Sequence, residues 1–285
     1  MRSKCILYFL CIILVTIPAY AGEISEEQTK WQWLQSGLNF RPAVASVYEP
    51  RVGFIFYGNE NNIRLDIGSS LDMLSRNYRA GAIGIGVEFF TYTLLESWDN
   101  MYFPVIASDY FFGINISYSQ TVDAATTSGR LRFTHISAHF VDGHFDAEDG
   151  GWRNGRNPII YSREFFELVL SHQLNGSVIH RWYGGLQYNI NLTPDMISRV
   201  EIQGGYEIFV PTSYDYVTPY AAVDVRLVDI AGWNINTSFQ TGIKLGHRFG
   251  RGFDLFLSYY NGYSVHGMLF DEKTDYWGFG FNMHL

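Results

Sequence analysis

The sequence predicts an all-β protein, a transmembrane antiparallel up-and-down β-barrel of about twelve strands, with ten as the alternative count. Three observations carry that expectation. The chain closes on TDYWGFGFNMHL, in which Trp277, Phe279, Phe281, Met283 and Leu285 share one parity and Tyr276, Gly278, Gly280, Asn282 and His284 the other. A period of two is a β-strand, and five uncharged apolar residues on one face of a terminal strand suit lipid better than water. The same alternation recurs along most of the chain. No segment after the first twenty-one residues holds the eighteen uncharged apolar residues of a spanning helix, yet aromatic residues make up 17% of the chain and charged residues only 17%.

In chain order, residues 1–21 read as a secretory signal. Arg2 and Lys4 form a basic start, 5–17 are almost wholly apolar, and Ala19-Tyr20-Ala21 is a small-residue cleavage site. Cys11 follows Tyr8-Phe9-Leu10, which lacks the small residues that precede a lipidated cysteine. Both cysteines, Cys5 and Cys11, fall inside this segment, so disulfides and cysteine metal sites are not expected beyond it. Losing Arg2 and Lys4 takes the formal charge from −8 to −10, which together with the lack of a basic stripe argues against nucleic acid as a partner. Residues 22–50 are polar and punctuated by Pro42 and Pro50, but contain Trp31, Trp33 and Phe40. They are expected to form a short ordered periplasmic segment packed on or into the barrel, which itself occupies 51–285.

Twelve strands are expected at 51–57, 62–69, 81–93, 109–120, 130–142, 163–174, 178–190, 199–209, 219–228, 234–247, 253–262 and 274–285. Most match the 9–11 residues that cross a bilayer at a tilt. The third alternates Ile83, Ile85, Val87 and Phe89 with Gly84, Gly86 and Glu88, and the ninth alternates Ala221, Val223, Val225 and Leu227 with Ala222, Asp224 and Arg226. An even count puts both ends in the periplasm. The tight turns at 175–177 and 249–252 then fall on the periplasmic side, and the long gap 143–162 falls outside. The finish also resembles the C-terminal signal read by the bacterial outer-membrane barrel-assembly machinery, through Gly280, Met283 and Leu285.

Polar residues on the parity opposite the apolar face are expected to line the lumen: Arg64, Asp66, Glu88, Glu167, Glu201, Gln203, Glu207, Asp224, Arg226, Gln240, Lys244 and Asp254. An arginine or lysine held against mid-bilayer lipid costs about 2–4 kcal/mol, which fixes the side. Mixed signs predict paired charges in a narrow bore rather than a selective ring.

The fifth candidate strand contains Phe133-Thr134-His135-Ile136-Ser137-Ala138-His139. His135, Ser137 and His139 share a face, and a histidine two residues from a serine is placed to activate it. Glu164, at the start of the sixth, is placed to orient the histidine. Because Ile136, Ala138 and Phe140 make the more apolar parity, the sequence turns His135, Ser137 and His139 into the lumen. Glu148, Asp146, Asp149 and His144 in the following loop form an acidic stretch that suits either solvent or a calcium ion.

Two resemblances rest on these residues. His135-x-Ser137-x-His139 with Asp142, Tyr161-Ser162-Arg163-Glu164, Tyr259 to Tyr263, Phe40-Arg41-Pro42 and Glu49-Pro50-Arg51 resemble the family of domain of unknown function 1207. That resemblance implies a bacterial outer-membrane protein and brings no activity. Thr134-His135-x-Ser137, followed by Ser162-Arg163, is similar to the hallmark of outer-membrane phospholipase A, a twelve-stranded enzyme. In that family the serine and histidine face lipid and an asparagine completes the triad; here the asparagine position is Phe166, leaving Glu164 as the substitute. The function expected from the sequence is an outer-membrane barrel of structural or pore type with a narrow polar lumen. The alternative is a lipid hydrolase using Ser137, His135 and Glu164. The partners expected are outer-membrane lipid and the assembly machinery, and no cofactor is expected apart from that loop calcium. The inward parity of the fifth strand predicts that hydrolysis is absent.

Overall fold

The computed structural model describes residues 30–284 apart from 35, 79, 198, 215 and 231. The signal segment, residues 22–29 and Leu285 of the terminal motif therefore lie outside the described residues. Twelve antiparallel strands form the wall: β1 (Val52–Tyr57), β2 (Asn62–Tyr78), β3 (Gly81–Glu96), β4 (Val105–Val122), β5 (Ala125–Phe140) and β6 (Tyr161–Leu174), then β7 (Ile179–Thr193), β8 (Val200–Phe209), β9 (Val217–Asp229), β10 (Trp233–Gly246), β11 (Gly252–Tyr263) and β12 (Lys273–His284). Each pairs with its neighbours in sequence, and β12 pairs back onto β1 (Phe279 with Phe56, Phe281 with Phe54). The sheet is closed and has no long free edge to aggregate. The expected strands all fall within or beside these twelve, but β2 runs on to Tyr78 and β4 begins at Val105.

One face of every strand is apolar and open, the other packed. On β3, Ile83, Ile85, Val87 and Phe89 are exposed, while Glu88, Phe90 and Tyr92 are buried. On β9, Val225 is exposed between buried Asp224 and Arg226, and on β12, Phe279 is exposed. Gly280 faces inward because the ring of Phe256 fills its place: a Cβ there would lie 2.2 Å from that ring. Connections between strands differ in length between the two rims, apart from 210–216 and 230–232. At one rim they are short, as at 123–124 and 175–178; at the other they include 97–104, 141–160 and 264–272.

The interior is filled from three sources. Wall charges fill the middle. Towards the long-loop rim the filling is apolar: Phe111, Ile136, Ala138, Phe140, Phe165 and Met268 belong to one buried cluster. The third source is the chain before β1. Trp31–Trp33 forms a short strand on β2 near the short-turn rim, and residues 39–51 then run inside the barrel, with Phe40, Ala43, Ala45, Ser46, Val47 and Glu49 buried. Twelve strands enclose more space than wall side chains alone fill, and this segment occupies it.

Candidate functional site

Every expected lumen residue on strands other than β5 is buried on the inner face: Arg64, Asp66, Glu88, Glu167, Glu201, Gln203, Glu207, Asp224, Arg226, Gln240, Lys244 and Asp254. They form a shared network. Glu167 accepts from Arg226 Nη2 at 3.1 Å and Arg130 Nη2 at 3.2 Å, and Arg132 Nε lies 2.7 Å away as an ion-pair partner. Glu88 accepts from Thr134 Oγ1 at 2.8 Å and Arg132 Nη1 at 3.3 Å. Asp224 accepts from Gln203 Nε2 at 2.5 Å and Tyr183 Oη at 2.8 Å. The segment 39–51 joins in: Glu49 receives Arg130 through two bonds at 2.7 and 2.8 Å, and Glu207 receives the Val44 N–H at 2.7 Å. A buried ion pair offsets its desolvation only when its remaining hydrogen bonds are made, and Glu49, Glu88, Glu167, Glu207 and Asp224 each meet two donors or more.

Strand β5 has the opposite parity to the one expected from the sequence. Arg130, Arg132, Thr134, Ile136 and Ala138 are buried inside, so His135, Ser137 and His139 stand on the outer face and do not line the lumen. The expectation assumed a wet bore, in which Ile136, Ala138 and Phe140 would have no place. The bore is packed and apolar near the long-loop rim, and takes them. The signal that fixes this parity was present in the sequence: Arg130 and Arg132 share it, and neither belongs against lipid.

On the outer face, His135 meets Glu164 of β6, its register partner, with Nδ1 2.5 Å from Oε1. Ser162 Oγ donates to the same oxygen at 3.3 Å. The imidazole rests on Phe112 of β4, ring centroids 4.7 Å apart. Two residues along the same face, Ser137 sits in register with Ser162 on one side and Tyr110 on the other. Nδ1 is committed to the carboxylate, and among the described residues no hydrogen bond joins His135 to Ser137. The Cα spacing of same-face neighbours, about 7 Å, is one that an imidazole and a hydroxymethyl group span together.

The row extends to β7. A bulge between Asn189 and Asn191 brings Asn191 into register with Glu164, and Thr193 with Ser162. Tyr110 and Asn191 were not singled out from the sequence, and Ser162 only through a resemblance. Their place in this row is legible only through the cross-strand register, which one-strand periodicity does not supply. Below this polar patch the outer face of β6 is apolar through Phe166, Leu168 and Leu170 until His172, whose Nδ1 lies 2.9 Å from Thr127 Oγ1. Eight residues at about 3.3 Å each, tilted by about 40°, separate Glu164 from His172 by roughly 20 Å along the barrel axis. The cluster therefore lies at the upper edge of the apolar belt.

The acidic loop is organised by its own backbone. Asp146 Oδ1 accepts from the N–H groups of Glu148 and Asp149, and His144 is stacked on Phe140, ring centroids 3.9 Å apart. Among the described residues no three His, Cys, Asp or Glu side chains converge as metal ligands would. Across the barrel, Asp109 receives His266 Nδ1 at 2.8 Å and the Gly267 N–H at 2.6 Å, fastening the loop 264–272 over the bore.

The family model described as Protein of unknown function (DUF1207) matches residues 71–285, well over half of the chain. Among solved structures, the β domain of the Bordetella autotransporter Brka aligns with 82% of this chain and 97% of its own, at 12% identity and a TM-score of 0.44. No curated protein matches.

Proposed function

The chain belongs to the family described as Protein of unknown function (DUF1207), and we propose that it is an outer-membrane barrel that hydrolyses acyl esters of membrane lipid on its outer wall. The observation that carries this reading is the His135–Glu164 contact, 2.5 Å long, on the outer face of β5 and β6 beside Ser137. A membrane barrel gains nothing in stability from an ionisable pair against lipid, where polar groups are costly and mark function.

Several features support the membrane setting. The exposed belt is apolar all round, from Ile85 through Ile114, Val225 and Leu257 to Phe279, while the charges are inside. That is the inverse of a water-soluble sheet. The secretory character of 1–21 and the short turns at one rim orient the barrel, with the long loops and the Ser137 cluster towards the outer leaflet. The same reading gives the terminal strand to the assembly machinery. In lipid-refolding titrations, Val225→Arg is expected to cost about 2–4 kcal/mol and Val225→Leu almost nothing. Equal stability of the two would remove Val225 from the lipid face.

The chemistry follows from the geometry. Glu164 holds the His135 imidazole through Nδ1, and in this reading Nε2 meets the Ser137 hydroxyl when substrate is bound. Ser137 Oγ attacks the ester carbonyl as Nε2 takes its proton, because a serine hydroxyl alone is a poor nucleophile. The tetrahedral intermediate expels the lipid alcohol, which receives that proton from His135. Water then attacks the acyl-serine with His135 again as base, releasing a fatty acid. Backbone N–H groups beside Ser137 are engaged in the sheet ladder, so the developing oxyanion is left to side chains of the same row, Tyr110 and Ser162. Refolded protein in phospholipid vesicles is expected to release free fatty acid. The filled lumen favours a second reading, a sealed structural barrel without turnover, and vesicles that stay intact over a day would decide for it.

A further inference from the structure

The first strand of the wall is split. Trp31–Trp33 and β1 both lie antiparallel to β2 on the edge that β3 leaves open, the first opposite Leu74–Arg76 and the second opposite Ile63–Asp66. Between Trp33 and Gly53 the chain takes 20 steps, whereas their partners Leu74 and Asp66 are only 8 apart. The surplus goes into the barrel. It returns to the wall at Val52, and Gly53 pairs with Asp66, in the first third of β2, which is why β1 has six residues and β2 seventeen.

This inserted segment has no regular secondary structure and is held both by polar contacts to the wall and by the packing of Phe40, Ala43 and Val47. Its carbonyl groups accept from wall side chains, Arg64 at Val47 and Tyr92 at Glu49, both within 2.9 Å. Its Glu49 carboxylate is clamped by Arg130 and its Asn39 N–H donates to Asp72 at 2.8 Å. Water satisfies such groups as well as the wall does. The closed wall does not depend on the segment, since β1 keeps β2 and β12 as partners without it.

We infer that residues 36–51 are a displaceable plug and that the barrel has a second activity as a gated conduit for small hydrophilic cations. Opening peels the three-residue strand Trp31–Trp33 from β2 and swings the plug out through the short-turn rim about Val52, withdrawing Val44, Val47 and Tyr48 from the apolar cluster that fills the long-loop end and so loosening it. The cation preference follows from what remains. Among the described residues the wall alone contributes nine buried carboxylates against seven buried Arg and Lys side chains. This goes beyond the hydrolase reading and is independent of it, because Ser137 is on the other face of the wall.

The test is single-barrel conductance in planar bilayers. Wild type is expected to be mostly closed with rare openings. Glu49→Gln combined with Arg41→Gln removes three of the plug's charged contacts and is expected to raise the open fraction at least tenfold, with potassium preferred over chloride in the reversal potential. A second variant keeps the plug in place. A Cβ on Gly84 of β3 would lie 2.5 Å from the Asn39 side-chain nitrogen, so Asn39→Cys with Gly84→Cys brings two thiols together in a chain whose own cysteines, Cys5 and Cys11, precede the mature segment. Oxidation is expected to abolish openings and dithiothreitol to restore them. Openings unchanged by oxidation once the cross-link is confirmed by mass, an open fraction in the charge variant equal to wild type, or a chloride preference would overturn the proposal.

Discussion

His135→Ala and Ser137→Ala are each expected to reduce fatty-acid release from vesicles by roughly 10³–10⁶-fold, and the double variant no further. The two residues act as one unit. Without the imidazole, Ser137 keeps its proton; without Ser137, the imidazole has no nucleophile to activate. Their losses therefore do not add. Glu164→Gln keeps a hydrogen-bonding partner at His135 but removes the charge that stabilises the imidazolium, and a loss of about 10²–10⁴-fold is expected from it. His139→Ala makes the control, since His139 shares the outer face of β5 but lies beyond Ser137, away from Glu164. It should leave release within about twofold of wild type. All four positions face outward, so none of the substitutions opens a cavity in the packed bore. Additive losses for the His135 and Ser137 changes would show that they do not work together.

The largest effect on stability is expected at Glu167. Its carboxylate is buried and shared by three guanidinium groups, those of Arg130, Arg132 and Arg226, at 2.7–3.2 Å. Glu167→Ala leaves those cations facing one another with less compensation, and removal of one partner from such a buried pair typically costs about 3–5 kcal/mol. Arg130 retains Glu49 and Arg132 retains Glu88, so the barrel is expected to be destabilised by that order rather than lost. The check is a urea-unfolding titration of the variant in lipid vesicles beside wild type. A change below about 1 kcal/mol would mean that water enters the bore and solvates the network.

The fold was legible because an apolar outer face and a charged interior impose the same period of two on strand after strand. Trp277 to Met283 and Ile83 to Phe89 state it plainly, and the strand positions follow. Ends were less legible. β2 continues through Ser69-Ser70-Leu71-Asp72 to Tyr78, where Ser69 interrupts the outward apolar row and a bulge between Asp72 and Leu74 shifts the parity although the sheet goes on. The plug was legible only as an ordered segment with Trp31, Trp33 and Phe40. Its course depends on the match of its carbonyls and Glu49 to wall arginines far away in sequence, and no local pattern encodes that.

The site was half legible. The pairing of His135 with Ser137 on one face and the candidacy of Glu164 came from the sequence; the side they face did not. Parity on β5 is decided at two depths. Near the short-turn rim the inner face is charged through Arg130 and Arg132, and near the long-loop rim it is apolar through Ile136, Ala138 and Phe140. Weighing only the upper residues gave the wrong answer. Tyr110 and Asn191, and the place of Ser162 beside Ser137, required the register across β4 to β7, including the bulge before Asn191.

The most direct test of a lipid-facing, histidine-activated serine is covalent trapping. Refolded barrel in vesicles is incubated with a long-chain alkylphosphonate p-nitrophenyl ester. Attack by an activated serine forms an Oγ–P bond, expels p-nitrophenolate and passes the serine proton to the histidine. The adduct is located by mass spectrometry of the digested protein. The account predicts one adduct, on Ser137, that is absent from His135→Ala. An unmodified protein, an adduct on Ser162 instead, or equal labelling of Ser137 when His135 is replaced would contradict it.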